Sequence, residues 1–172
     1  ETQSHILNNC PYNKALWCLR HDTILDLTVQ CLKSNGIECL VESPYPGVEA
    51  QLQPDLIITN NRRRMITILD IKSPYDKVVN IDAAREANVS YYTQLASNIA
   101  NHTRTPTKVV TMCVCSMGSW DSNNDAVLLD VGLSKTTVAK LAQLCIRKAI
   151  AISHNIFRRH ISLDDDRDVA TA

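Results

Sequence analysis

The feature that most restricts the fold is a pair of apolar runs, "DLIITN" and "MITILDI", with only a short polar turn over 60–64 between them. Both are of strand length and rich in Ile, Leu and Val, and so tight a connection makes them an antiparallel hairpin. "KVVTMCVCSMG" is a nearly continuous apolar run, as expected of a strand covered on both faces. "IECLVE" reads as one more strand. Helical spacing fills the intervals. "HDTILDLTVQCLKSNG" predicts a helix with Asp22 as its N-cap, Ile24, Thr28 and Cys31 on one face, and Asn35-Gly36 as the stop. After "SPYD", the residues Ile81, Ala84, Asn88, Tyr92, Leu95 and Ile99 recur at helical intervals. "SNNDAVLLDVG" predicts a short helix, and 134–160 a long one with Val138, Leu141, Cys145, Ala149, Ile152 and Ile156 on its stripe. The order helix, three strands, helix, strand, helices predicts an α/β sandwich around a mixed sheet. The acidic end "SLDDDRDVATA", 162–172, lacks periodicity and is expected to be disordered.

Composition excludes little. The 172 residues suit one domain with a sizeable core. Lys plus Arg and Asp plus Glu balance at 18 each, so no global basic field advertises a nucleic-acid partner, although a module of a longer chain can leave that attraction to its neighbours. Seven scattered cysteines, no C-x-x-C, no signal peptide and no long apolar span point to a reducing intracellular setting without a membrane partner. Cys31, Cys39, Cys113, Cys115 and Cys145 lie in apolar segments and read as small core hydrophobes.

The hairpin strands carry charges that a core strand does not need. Asp55 opens the first, and Asp70 and Lys72 close the second. Side chains alternate across a strand, so Asp70 and Lys72 emerge on one face, and hairpin pairing can bring Asp55 to the same place. Two close carboxylates resist joint ionisation unless a cation lies between them. A hard divalent ion such as Mg²⁺ (or Mn²⁺) takes oxygen ligands, keeps several waters, and lowers the pKa of one of them, while a lysine can neutralise charge growing on a phosphate. Taken singly, each residue is ordinary: P-D is a turn dipeptide, and D-x-K a solvated ion pair. Together they form a metal-dependent phosphodiesterase constellation.

The run "PDLIITNNRRRMITILDIK" resembles the PD-(D/E)XK nuclease signature. With "ETQSHILNNC", "RHD", "AAREANVSYYTQLA", "GSWDSNNDAVL" and "LCIRKAIAISHNIFRRHI" in order, nearly the whole chain is similar to the restriction-like endonuclease domain of R2- and NeSL-type non-LTR retrotransposon polyproteins. The resemblance implies a PD-(D/E)XK core over 22–161 that nicks double-stranded target DNA in the nucleus. An upstream reverse transcriptase (RNA-directed DNA polymerase) carrying the element's RNA would then extend the exposed end. By motif match it makes Asp55 and Asp70 the metal-binding acids and Tyr92 a residue at the active-site flank, with core packing as the alternative for Tyr92. Many relatives carry threonine two residues after the second acid and a lysine on the following helix. Here Lys72 holds the strand position, and Asn88 and Tyr91 stand where the helix lysines fall.

The resemblance also implies a zinc knuckle ahead of the core. His5 and Cys10 in 1–21 look like its second half, with Zn²⁺ completed in the longer protein. Tetrahedral zinc needs four N or S ligands, and Cys18 with His21 is the alternative completion within this segment. Arg62, Arg63 and Arg64 in the turn and Arg158 and Arg159 near the end of the last helix are candidate phosphate contacts, or equally a solvated turn and a complement to the helix dipole. Glu42 and Glu49 are candidate extra metal carboxylates. Two rival functions remain: a catalytically weak DNA-binding or docking module of the same polyprotein, and a cellular resolvase-like nuclease, which has no reason to carry the "HILNNC" and "GSWD" blocks.

Overall fold

The computed structural model describes residues 1–49 and 52–170, with side chains described as far as 162. The elements, in chain order, are α1 (Gln3–Asn8), a 3-10 turn (Pro11–Asn13), α2 (Lys14–Ser34), β1 (Cys39–Val41), β2 (Leu56–Asn60), β3 (Met65–Lys72), α3 (Val78–Thr103), β4 (Thr107–Cys113), α4 (Asn123–Asp130) and α5 (Lys135–Ala170). The protein is thus a mixed α/β fold. The expected disordered end, 162–172, falls mainly on side chains outside the described residues, although the backbone of α5 runs on to Ala170.

The sheet has the order β1-β2-β3-β4. The first three strands are antiparallel neighbours, and β4 joins β3 in parallel after the α3 crossover. Alternation along β2 and β3 sends Leu56, Ile58, Leu69 and Ile71 to the face covered by α2, α4 and α5. Ile57, Ile66 and Ile68 go to the opposite face, under Tyr92, Leu95 and Ile99 of α3. Both faces are therefore dry, which is why β3 reads as an apolar run with charge only near its end. All six residues of the expected α5 stripe are buried. Ile152 and Ile156 also hold Ile6 and Leu7 of α1.

Local chemistry sets the ends of these elements. Asn60 Oδ1 accepts from Arg63 N in the hairpin turn, and Arg64 turns back with φ 49°. Arg104, at φ 56°, stops α3 in a left-handed cap two residues ahead of Pro106. Beyond β4, Asn124 imitates a neighbouring strand: its Oδ1 accepts from Cys113 N and its Nδ2 donates to Cys113 O. Asp76 accepts from the amides of Met117 and Ser119, tying the loop after β3 to the turn after β4. The ends of β3 and β4 are thereby held together as one edge.

One boundary differs from expectation with consequences for the site. α2 begins at Lys14 rather than after Asp22, because Pro11 starts the turn that feeds it and Leu16 and Trp17 already pack on the α1–α5 cluster. His21 and Asp22 therefore sit within the helix.

Burial of the five core cysteines follows expectation. Cys113, Cys115 and Cys145 are fully enclosed and Cys31 and Cys39 half-buried. Burial raises all five thiols, that of Cys113 to about 11 and those of Cys115 and Cys145 to about 12, so they stay neutral and pack as apolar groups. Among the described residues, no helix is long and apolar enough to cross a membrane.

Candidate active site

The register pairs Leu56 with Leu69 and so carries Asp55 to the position across from Asp70. Both are buried, Asp55 at 9 % exposure and Asp70 at 3 %. Asp55 Oδ2 accepts from the Ile71 amide at 2.5 Å, so the first acid is fixed by the backbone between Asp70 and Lys72. Asp70 Oδ1 accepts from the Tyr92 hydroxyl at 3.2 Å. Lys72 Nζ closes on Asp70 Oδ2 as an ion pair, although no donor meets that oxygen at hydrogen-bonding angles.

Electrostatics at the pair follow from this geometry. Burial, and then the charge of Asp55, raise the pKa of Asp70, against the opposing pull of Lys72 and Tyr92. The Tyr92 hydroxyl is raised by burial and by Asp70, so it remains a donor. A carboxylate that is buried and repelled by its neighbour fits a hard divalent ion, which accepts oxygen ligands and removes the repulsion. Among the described residues, no three His, Cys, Asp or Glu side chains close on one point. The remaining ligands would then be waters and phosphate oxygens, as Mg²⁺ tolerates.

His21 is a neighbour of the acid pair that sequence reasoning assigned elsewhere. Its Nε2 lies 3.1 Å from Asp55 Oδ2 and its Nδ1 3.1 Å from Asp22 Oδ1. The hydrogen bond to Asp55 is the main cause that pushes the imidazole up to about 9. The signal was the quoted "RHD", which becomes informative only once α2 is extended back to Lys14, placing His21 on the helix beside the acid edge.

A raised folded pKa means that the folded protein holds the proton more tightly than the unfolded chain. With metal chelated, the stabilisation is complete below the ordinary histidine value of about 6.5 and is lost as pH rises through about 9. His21→Ala should therefore lower stability by roughly 1.5–3 kcal/mol near pH 6 and flatten the pH dependence above it. Urea unfolding of both proteins in chelator checks this; parallel pH profiles would refute the pairing.

Position 88 lies close to the acid pair. Asn88 is buried on α3, donating to Thr111 Oγ1 at 2.8 Å and to Val110 O at 3.2 Å. Thr111 pairs with Asp70 across the parallel ladder. A side chain at 88 thus points at the strand position next to Asp70, whereas Tyr91 is 60 % exposed and stacks edge-on against Tyr92. One α3 turn earlier, Arg85 is held to the buried Asp121 by both Nε and Nη2 at 2.9 Å, and to Asp82.

Other expected site residues fall elsewhere. The Arg62–Arg64 turn lies at the opposite end of β3 from Asp70, about 20 Å along the strand at ~3.3 Å per residue. All three arginines are exposed, and Arg63 and Lys108 are paired with Asp130 there. Arg158 and Arg159 are exposed on α5. His5 is half-exposed beside Glu1, at 3.7 Å, while the buried Cys10 thiol lies 3.7 Å from His160 Nδ1 on α5. Cys18 is exposed and His21 is engaged with Asp22 and Asp55; the two stand three apart on α2, and among the described residues no further His, Cys, Asp or Glu side chains group with them to hold a metal. Glu42 donates its amide to Asp55 O and is exposed beside the acid edge; Glu49 is exposed in the loop leading to β2. No protein-family model and no curated protein matches the chain.

Proposed function

We propose that the protein is a divalent-metal-dependent DNA endonuclease with a PD-(D/E)XK core. We further propose that it serves as the nicking domain of an R2- or NeSL-type non-LTR retrotransposon polyprotein, acting on nuclear double-stranded DNA beside a reverse transcriptase and its RNA. The observation that carries the reading is the convergence of Asp55, Asp70 and Lys72 at the end of a buried hairpin, with Tyr92 reaching Asp70 from α3.

In this reading Asp55 and Asp70 hold the ion. When bound, Mg²⁺ or Mn²⁺ supplies a water of lowered pKa and positive charge against the phosphate oxygens. The chain supplies the rest. The Ile71 amide and His21 orient Asp55, and Tyr92 orients Asp70. Lys72, 45 % exposed in its side chain, can exchange its hold on Asp70 for a phosphate oxygen or the attacking water, delivering positive charge where negative charge grows. The apolar layers on both sides of β3 keep bulk water from the carboxylates and so strengthen these interactions.

A second reading, DNA docking without hydrolysis, draws on the finding that, among the described residues, no group of three His, Cys, Asp or Glu side chains is arranged to hold a metal, His21 being turned onto Asp55 and Asp22. Supercoiled plasmid separates the two. The nuclease converts it to the nicked form in Mg²⁺ or Mn²⁺ and stops when chelator is added. Nicking that persists in excess chelator would sink the metal mechanism, and binding without nicking in either metal would favour docking.

A further inference from the structure

We propose that the hollow between the first turns of α2 and the end of β3 is a phosphate subsite, holding a DNA backbone phosphate adjacent to the one at the acid pair. The inference rests on the nuclease reading for its ligand and deepens it by naming where the strand continues.

The hollow measures about 290 Å³, with Trp17, Arg20, His21, Lys72 and Ser73 in its wall. At ~30 Å³ per water it has room for on the order of ten waters, enough for a phosphodiester group and part of its hydration. Lys72 and His21 also touch Asp70 and Asp55, so this hollow and the acid pair share a wall.

The buried donors of this wall are incompletely satisfied. Arg20 is 1 % exposed, an unusual place for a guanidinium. Its Nη1 donates to Ser153 Oγ at 2.8 Å and its Nη2 to Leu7 O at 3.1 Å, both neutral acceptors, and its Nε has no acceptor. Asp76 acts on this cation only from a distance, without an ion-pair contact; a buried cation so placed is costly, and a bound anion offsets that cost. Trp17 Nε1 is a second buried donor without a partner. The wall also contains Asp22, which is turned onto His21 Nδ1 at 3.1 Å, and Asn8, whose Nδ2 donates to Ser73 O at 2.6 Å while its Oδ1 is unpaired. His21 and Lys72 are held by Asp55 and Asp70, so the donors left over are Arg20 Nε and Trp17 Nε1; two unused N–H donors beside a buried guanidinium favour a phosphate over an apolar or cationic guest.

Cys18 supplies a test that leaves these groups in place. It lines the hollow and is exposed, whereas the other six thiols are buried or half-buried. The full chain is labelled at Cys18, checked by mass, with either sulfonatoethyl or trimethylammonioethyl methanethiosulfonate, adding a negative or a positive charge of similar bulk. Binding of a short fluorescent DNA duplex is then followed by anisotropy in chelator. The negative label should weaken affinity roughly tenfold relative to the positive one, the scale of one unit charge a few ångströms from a phosphate at intermediate dielectric. The difference should vanish in Cys18→Ser treated identically.

Equal affinities for the two labelled forms would overturn the subsite, as would a difference that persists in Cys18→Ser or a duplex that fails to bind the unlabelled protein. Because chelator is present throughout, a protein that never nicks DNA can still pass. Failure of the subsite and failure of the hydrolase are thus read separately.

Discussion

Asp70→Asn is expected to reduce nicking of supercoiled DNA by at least roughly 10³-fold, on the scale of losing a residue of a catalytic unit, while raising metal-free stability by roughly 0.5–2 kcal/mol. The two effects have one origin. The raised pKa of Asp70 reports that burial and Asp55 together outweigh Lys72 and Tyr92, so the ionised carboxylate is less comfortable in the folded protein than a neutral group of its shape. Asparagine is that neutral group. Its Oδ1 can keep the Tyr92 hydroxyl, and the released Lys72, already 45 % exposed in its side chain, returns to water at little cost. The catalytic loss follows because an amide is a poor ligand for a hard cation and leaves Asp55 alone to hold it. Plasmid nicking in Mg²⁺ and urea unfolding in chelator measure the pair of outcomes. A variant less stable than wild type without metal would mean that the two acids are a structural network and not a pre-strained metal site.

This opposition of stability and function marks where sequence could and could not speak. Ile66, Ile68, Leu69 and Ile71 announce β3 through composition alone, and the α5 stripe announces itself by period, because burial on a face repeats with the geometry of the element. The acid pair was legible for the same reason: alternation and the short turn determine which residues stand opposite one another. What depends on packing between distant segments was not legible. His21 reaches Asp55 across 34 positions, and only the true start of α2 aims it there. Asp22 imitates an N-cap so well that the helix was expected to start nine residues late, because Lys14 to Arg20 carries no sharp amphipathic signal of its own. The arginine turn invited a DNA-contact reading by composition, yet strand length carries it to the far end of the sheet from the acids. Asn88 appeared as a missing lysine in sequence, whereas its amide joins α3 to β4.

Lys72→Ala is expected to lower the cleavage rate by roughly 10²–10³, the scale for removing one preorganised electrostatic partner. DNA affinity should change little, because it rests on many phosphate contacts. The structure sharpens the rescue experiment. Lys72 approaches Asp70 from the strand, and position 88 faces Thr111, the strand neighbour of Asp70, so Lys72→Thr with Asn88→Lys moves the ammonium to another wall of the same site. The move forfeits the Asn88 bonds to Thr111 and Val110 at roughly 0.5–1.5 kcal/mol each, so the double variant should melt lower than Lys72→Thr while cleaving faster. Tyr91→Lys tests the alternative direction. Tyr91 is largely exposed and meets the site only through the ring of Tyr92, so lysine there should restore less, at a smaller cost in stability. Recovery through position 88 and not 91 would identify one phosphate reached from strand or helix. Full activity in Lys72→Ala would instead show the D-x-K spacing to be incidental. Arg85 would then be the cation to test next, since it stands one α3 turn before Asn88, held in reserve by Asp121 and Asp82.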